Sequence, residues 1–140
     1  MNEVKPKRLT IPVLQKRLDQ IFSEYIRLKE ANDNGFCKCV TCGSMWHWTA
    51  LHNGHYVDRR HIATRYDERN CHPCCYHCNV TLRGNLSKYR QFIIDKYGVK
   101  VLEELESAKR ATEKYSVADY QEKIEYYRSE VRRIKKEKGL

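Results

Sequence analysis

Two cysteine pairs with the same spacing carry the strongest chemical signal in this sequence of 140 residues. Cys39 and Cys42 form one CxxC pair, and Cys75 and Cys78 form another. Each pair places two sulfur atoms on one turn, so two such turns can complete a tetrahedral shell of four thiolates. We therefore predict a structural Zn2+ on these four cysteines. A closed shell leaves no open position, so we do not expect this zinc to be a catalytic ion.

Three further cysteines leave the choice of zinc ligands open. Cys71 and Cys74 form a third CxxC pair, and Cys37 lies near the first pair. We retain the pair that directly precedes Asn79, because this asparagine then leaves the zinc turn at the start of a helix. The three spare thiols are expected to be small buried side chains.

A histidine and two asparagines lie beside these pairs. His55 can serve as a general base near neutral pH, and amide oxygens such as that of Asn79 suit Mg2+ or Mn2+. A hairpin can carry His55 on one strand and Asn70 on the other, and the following helix then presents Asn79. These types in this order predict metal-dependent hydrolysis of a phosphodiester.

The charge distribution points to a polyanion as the partner. The chain has a net charge of +9, and residues 37–97 carry 9 basic and 4 acidic side chains. We expect nucleic acid to bind this segment, although a solvated charged surface is the simpler alternative. The candidate phosphate-binding residues are Arg59, Arg60, Arg65, Arg69, Arg83, Lys88 and Arg90.

Composition argues against a secreted or membrane protein. All seven cysteines fall between residues 37 and 78, and an odd, clustered set is not typical of a disulfide framework. We find neither an apolar signal segment nor an apolar run of about 18 residues. A reducing, cytoplasmic setting without a membrane partner is therefore expected.

Amphipathic helices are predicted at both ends of the chain. After a basic arm over residues 1–10, apolar residues at spacings of four and three predict a helix over 12–32. A capping-box-like start at Ser116 precedes a second stripe of this kind. The two helices could pack on each other or on the core, or one could build a dimer seam. The stripes are Leu14, Leu18, Ile21, Tyr25 and Leu28, and Tyr120, Ile124, Tyr127, Val131 and Ile134.

The middle of the chain is predicted to hold short strands and short helices. Residues 36–69 lack a helical period and contain turn residues. A short helix is expected near Cys75 or Cys78, ending at Gly84. A helix that Ser87 caps and that ends at residue 97, and another helix over 99–112, should follow. We divide the chain into residues 1–36, an arm and helix; 37–97, a zinc-bound core; and 98–140, the C-terminal helices.

These motifs together resemble the HNH, or ββα-metal, nuclease signature in its zinc-bearing form, and more closely the phage NinG (Rap) recombination endonucleases. A looser likeness is to phage endonuclease VII, another zinc-bearing resolvase. The match covers about residues 37–106. It is carried by Cys39-Val-Thr-Cys42-Gly43, Gly54-His55-Tyr56, Arg65-Tyr66-Asp67-Glu68-Arg69-Asn70, His72, Cys75-x2-Cys78-Asn79, Gly84-Asn85-Leu86 and Tyr89-Arg90.

The resemblance implies roles for three residues. His55 would be the general base, Asn70 would orient or polarise its imidazole, and Asn79 would hold the catalytic Mg2+ or Mn2+. His55 could instead ligate this ion. Many HNH enzymes have a metal-binding Asp before the catalytic His, whereas this sequence has Gly54. The candidates for a second ligand are Asp58, Asp67 and Glu68.

The resemblance implies an α+β fold in which a small zinc-bound ββα-metal core is flanked by terminal helices. It implies a phage- or prophage-encoded endodeoxyribonuclease that cuts D-loops and Holliday junctions in the host cytoplasm. A homodimer would present two active sites to a near-symmetric junction. The alternatives are a non-catalytic zinc module that binds nucleic acid and an HNH nuclease that acts on linear duplex.

Overall fold

The computed structural model describes residues 9–140, and most of the predicted basic arm lies outside them. The first helix, α1, spans Ile11–Glu30, close to the predicted bounds. Thr10 caps it through a side-chain oxygen that accepts a hydrogen bond from the backbone of Val13, and Pro12 occupies its first turn. None of the helices within residues 9–140 is long and apolar enough to cross a membrane.

The two terminal helices pack against each other within one chain. Helix α5 spans Val117–Lys138, and Ser116 and Asp119 form the predicted capping box. At the other end of α5, the ammonium group of Lys138 donates hydrogen bonds to the carbonyl oxygens of Leu28, Lys29 and Ala31. These carbonyls end α1, so Lys138 satisfies acceptors that the helix itself leaves free. The shared core consists of Leu14, Leu18, Phe22, Tyr25, Ile26, Leu28, Tyr66, Cys71, Tyr120, Ile124, Tyr127, Val131 and Ile134.

Two antiparallel hairpins form the β structure. Strands β1 (Phe36–Lys38) and β2 (Met45–His47) form the first hairpin. Strands β3 (His52–His55) and β4 (Cys71–Cys74) form the second, with His52 opposite Cys74 and His55 opposite Cys71. The chain between β3 and β4 contains a short helix, α2, over Ile62–Arg65. The predicted short strands are thus confirmed.

An irregular segment connects β4 to the next helix. The chain forms a π-helical turn over His77–Thr81, and Gly84 (φ 98°) and Asn85 (φ 46°) then adopt left-handed conformations. Helix α3 spans Leu86–Tyr97 with Asn85 as its N-terminal flanking residue. Ser87 therefore lies inside α3, and its predicted role as the cap is wrong.

A second core joins the cysteine-rich segment to α3 and α4. Helix α4 spans Val99–Ser107 and is followed by a 3-10 turn over Ala108–Arg110. It therefore ends five residues before residue 112, where the prediction placed its end. Leu102 and Leu105 of α4 pack in the same cluster as Tyr89 and Ile93 of α3. The division of the chain at residue 97 stays a prediction. Helix α4 lies after this boundary but shares its hydrophobic core with the segment before it.

Candidate functional site

Four cysteines from two distant parts of the chain form one cluster. The sulfur atoms of Cys39, Cys42, Cys75 and Cys78 all lie within 4.8 Å of one another. A tetrahedral shell with Zn–S bonds of about 2.3 Å separates its sulfurs by roughly 3.8 Å. The Sγ atoms of Cys42 and Cys75 are 3.8 Å apart. This cluster can therefore hold a structural zinc ion, as the sequence predicted.

Polar side chains surround these sulfurs. Hydroxyl oxygens lie 3.2 Å from the sulfur of Cys39 and 2.9 Å from that of Cys42; they belong to Thr41 and Ser44. The amide of Asn85 lies 3.6 Å from the sulfur of Cys78. Donors of this kind stabilise thiolates and orient them toward a metal. They were not identified from the sequence, although two of them lie two residues after a ligand.

The three spare cysteines are buried and lie outside the four-sulfur cluster. Cys71 belongs to the core between α1 and α5, and Cys37 and Cys74 belong to the second core. Burial raises the pKa of Cys37 to about 11 and that of Cys71 well above its usual value. These two thiols stay protonated near neutral pH. The neighbouring thiol of Cys39 and burial both raise the pKa of Cys74.

A cleft of about 280 Å³ lies next to the zinc cluster. Its wall combines the β3 strand, the π-helical turn and one side of α1. An adjoining depression shares several of these residues, including Asn53, His55, Arg59 and Asn79. The structure therefore brings His55 and Asn79 together in one cleft. The cleft is lined by Asp19, Phe22, Ser23, His52, Asn53, His55, Arg59 and Asn79.

His55 is held by the backbone of α2. Its Nε2 lies 3.0 Å from the carbonyl oxygen of Arg65. A carbonyl only accepts, so Nε2 carries the proton, and Nδ1 keeps a free lone pair in the neutral imidazole. Burial lowers the pKa of His55, and the charges of Arg59 and Arg65 lower it further, while the hydrogen bond to the Arg65 carbonyl opposes them. This environment favours a neutral imidazole.

Asn70 stabilises, by side-chain hydrogen bonds, the loop that contains the Arg65 carbonyl group. Its side chain is fully buried and accepts from the backbone of Val57 at 2.7 Å. Its amide nitrogen donates to the carbonyl oxygens of Val57 and Thr64. Asn70 thus contacts the loop between β3 and β4, and its side chain makes no recorded hydrogen bond to His55. Arg65 supplies the oxygen that orients the imidazole.

Two asparagines present amide groups in the cleft. The Nδ2 of Asn79 donates to Nδ1 of His52 at 3.1 Å. Asn53 lies two residues before His55, so both side chains fall on one face of β3. The Oδ1 of Asn53 is buried and has no hydrogen-bond partner among residues 9–140. Both asparagines line the cleft, and amide oxygens are ligands that suit a hard divalent cation, so these residue types fit Mg2+ or Mn2+.

The carboxylates predicted as second metal ligands lie elsewhere or are paired. Glu68 accepts from the hydroxyl groups of Tyr25 and Tyr127 and pairs with Lys29 at 3.2 Å. The remaining two candidates also form ion pairs. Asp67 pairs with Arg69, and Asp58 pairs with Arg60. Of the three candidates, only Asp58 lines the depression beside the cleft.

Asp19, which comes from α1 and lines the cleft, was not identified from the sequence. Its carboxylate accepts two hydrogen bonds from Arg65, one from Arg59 and one from the hydroxyl of Tyr66. A lone aspartate in an amphipathic helix has no motif around it. Its contacts arise only when α1 packs on the loop between the strands.

Of the seven predicted phosphate-binding residues, two are held in the fold by ion pairs and five have exposed side chains. Arg65 is buried against Asp19, and Arg69 forms ion pairs with Asp67 and Glu104. These contacts make both side chains part of the fold. Arg59 and Arg60 form ion pairs too, but their side chains are 61% and 81% exposed. Arg83, Lys88 and Arg90 are exposed and form no ion pair among residues 9–140.

A family comparison matches nearly the whole chain. The model described as "Bacteriophage Lambda NinG protein" matches residues 2–137. The chain belongs to the NinG family. No solved structure is significantly similar to it.

Several phage members of the NinG family are similar to this chain. Protein ninG of Salmonella phage P22 is 32% identical over 118 residues, which cover 78% of this chain and 55% of that protein. Protein ninG of Escherichia phage 933W is 33% identical over 95 residues, covering 66% and 44%. Protein ninG of Escherichia phage lambda is 32% identical over 95 residues, covering 66% and 43%. The chain thus matches about half the length of these relatives.

Proposed function

We propose that this NinG-family chain is a metal-dependent endodeoxyribonuclease of the HNH, or ββα-metal, type that cuts branched recombination intermediates such as D-loops and Holliday junctions. The observation that carries the proposal is the cleft in which His55 and Asn79 meet beside a four-cysteine cluster. The β3–β4 hairpin and the following turn bring these two residues there. A hairpin followed by a helical turn supports the proposal of a ββα-type site, although the turn over His77–Thr81 is π-helical.

The chain's own residues account for the proton transfer. His55 donates through Nε2 to the carbonyl of Arg65, so Nδ1 can accept a proton from an attacking water. A magnesium or manganese ion, when bound, supplies Lewis-acid stabilisation of the phosphoryl and leaving oxygens. The amide oxygen of Asn79 would hold this ion, and Asn70 keeps in place the loop that carries Arg65. Cleavage should leave a 5′-phosphate and a 3′-hydroxyl.

Exposed cations next to the cleft favour DNA as the substrate. Arg59 lines the cleft, and Arg83 lines the adjoining depression. Cationic side chains at the rim can hold the phosphates that flank a scissile bond. Branched DNA is proposed from the family resemblance and not from the geometry of the cleft. The homodimer also stays a prediction. The apolar stripes suggested for its interface are buried between α1 and α5 of one chain, so a dimer would need another surface.

The decisive experiment is cleavage of a labelled four-way DNA junction with added Mg2+ or Mn2+. His55→Ala should abolish metal-dependent nicking and leave the circular dichroism spectrum and melting temperature near those of the wild type. His77→Ala is the matched control, since His77 is exposed and makes no side-chain hydrogen bond within residues 9–140. It should cleave normally.

The same assay separates the alternative functions. Tight junction binding without cleavage by the wild type would favour a non-catalytic zinc module. Equal cleavage of the junction and of its linear arms would favour a nuclease of linear duplex. A product with a 3′-phosphate would exclude the proposed roles of His55 and the metal ion.

A further inference from the structure

The side-chain amide oxygen of Asn53 is buried without a hydrogen-bond partner among residues 9–140. Its Oδ1 is inaccessible to solvent and accepts no hydrogen bond within residues 9–140. Burying such a group without a partner costs about 1–3 kcal/mol, so native structures rarely keep one. Asn53 lines both the cleft and the depression beside it, together with His55 and Asn79. The residue that carries the unpaired oxygen therefore borders the cleft in which the proposed reaction takes place.

The amide of Asn79 is oriented by its neighbour. Its nitrogen donates to Nδ1 of His52 at 3.1 Å, and the two branches of an amide diverge. Its oxygen is thus directed away from His52, and no hydrogen bond to this oxygen is recorded within residues 9–140. Asn53 and Asn79 thus both line one cleft, and neither amide oxygen accepts a hydrogen bond within residues 9–140.

We propose that Asn53 is the second protein ligand of the catalytic cation, with its Oδ1 and that of Asn79 bound to the same ion. This inference rests on the proposed function, because it assigns a ligand to the same site. It resolves the absence of a carboxylate before His55, since Gly54 cannot be a side-chain ligand. The sulfur of Cys74 would lie only 2.4 Å from a Cβ atom at Gly54, so a larger residue cannot replace it without rearrangement.

Carboxylates near the cleft do not take this role. Asp19 lines the cleft, but its two oxygens accept from Arg59, Arg65 and Tyr66. Asp58 lines the adjoining depression, but its carboxylate pairs with Arg60. The protein thus provides a pair of neutral oxygens. Because affinity for hard cations grows with the charge of the ligands, the free protein should bind metal weakly, and DNA phosphates should complete the coordination.

The test is titration of the zinc-loaded full chain with Mn2+, followed by electron paramagnetic resonance, both alone and with a four-way DNA junction. Zinc loading keeps the cysteine cluster closed to Mn2+. Asn53→Leu should weaken Mn2+ binding by about tenfold or more, and Asn53→Asp should strengthen it by a similar factor. Asn34→Ala, in the exposed turn after α1, is the control and should bind like the wild type.

Stability separates a lost ligand from a damaged fold. Asn53→Leu removes an unpaired buried oxygen and retains similar volume, so its melting temperature without Mn2+ should equal or exceed that of the wild type. Asn53→Ser, which is smaller and retains an oxygen, should also weaken Mn2+ binding while the zinc content stays unchanged. If the affinity for Mn2+ is equal in all variants, Asn53 contacts only a water molecule in the native protein, and the proposal is overturned.

The metal assignment and the nuclease proposal can fail separately. No Mn2+ binding by the wild type, with or without DNA, would overturn the assignment. Unchanged Mn2+ affinity in Asn53→Leu would do so too, while junction cleavage by the wild type would still support the nuclease. Mn2+ binding that depends on Asn53 in a protein that cleaves no DNA would support the assignment and overturn the nuclease.

Discussion

At the scale of single residues, backbone contacts determine what the side chains can do. The carbonyl of Arg65 fixes the tautomer of His55, and the buried amide of Asn70 fixes the loop that carries Arg65. Neither contact can be read from residue types, because both depend on how the chain folds back between Val57 and Asn70. The sequence identifies the histidine and the asparagine but not the atoms through which they act.

His72 illustrates a second histidine with a different role. It is 2% exposed, and its ring nitrogens lie 3.0 Å and 2.8 Å from the hydroxyl oxygens of Tyr89 and Tyr97. Burial and the nearby charges of Lys96 and Lys29 lower the pKa of His72 to about 3. The hydroxyl of Tyr89 in turn donates to the carbonyl of Gly54, so His72 supports the strand that carries His55.

This buried histidine should make stability depend on pH. In the unfolded chain the pKa of a histidine is near 6.5, so below this pH the unfolded state binds a proton that folded His72 does not. Stability should therefore fall as the pH drops from about 6.5 toward 3, with a contribution from His72 of about 1 kcal/mol at pH 5.5. Urea unfolding at pH 7.5 and 5.5 measures this. His72→Gln should show a smaller loss between the two pH values, and an equal loss would contradict the assignment.

The second scale is that of the elements, where the four-cysteine cluster can supply, through a bound zinc ion, support that the small hydrophobic core lacks. The strands are only three or four residues long, and such hairpins are marginal without further support. The cluster links the turn after β1 to the turn after β4, so it ties the two hairpins together. Its removal should release the segment that carries Asn79.

Loss of zinc should therefore unfold the cysteine-rich core. Cys39→Ser or Cys78→Ser, or a strong chelator, should abolish the cooperative thermal transition of this core, because the remaining thiols of the cluster then lack their shared ion. Circular dichroism and zinc content measure the outcome. Cys37→Ser is the control, since this buried cysteine lies outside the cluster, and it should retain zinc despite some loss of stability. Full zinc retention by Cys78→Ser would show that the ligands are assigned wrongly.

Local patterns in the sequence predicted most of these elements. The four-three stripes gave α1 and α5, and the repeated CxxC spacing gave the zinc ligands, because each pattern reports a geometry within a few turns of chain. The start of α3 was missed because left-handed Asn85 replaces a side-chain cap. Asp19 and Asn53 were missed because their significance arises from the packing of distant segments, to which a single sequence gives no access.

On the scale of the whole molecule, charge and burial separate the arginines proposed to contact DNA from those that support the fold. Arg83→Ala should weaken binding to every DNA sequence and reduce the slope of log K against log salt by about 0.9, because one phosphate contact is lost. Arg65→Ala should instead cost about 3 kcal/mol of stability, since Asp19 loses its buried partner. Fluorescence anisotropy with labelled junction DNA and no divalent metal, together with thermal melts, tests both. An unchanged salt slope in Arg83→Ala would exclude this contact.

The packing of α1 on α5 also predicts how the chain responds to dilution. Phe22 is 1% exposed, and its ring centroid lies 4.9 Å from that of Tyr127 on α5 and 5.6 Å from that of Tyr66. Phe22→Ala should cost about 3–5 kcal/mol, because a large side chain leaves the core shared by the helices. This core belongs to one chain, so its loss should lower the melting temperature equally at all protein concentrations. If α1 and α5 instead formed a dimer seam, the wild-type melting temperature would rise markedly over about a hundredfold increase in concentration, and Phe22→Ala would change the sedimentation coefficient before it changed the helical content.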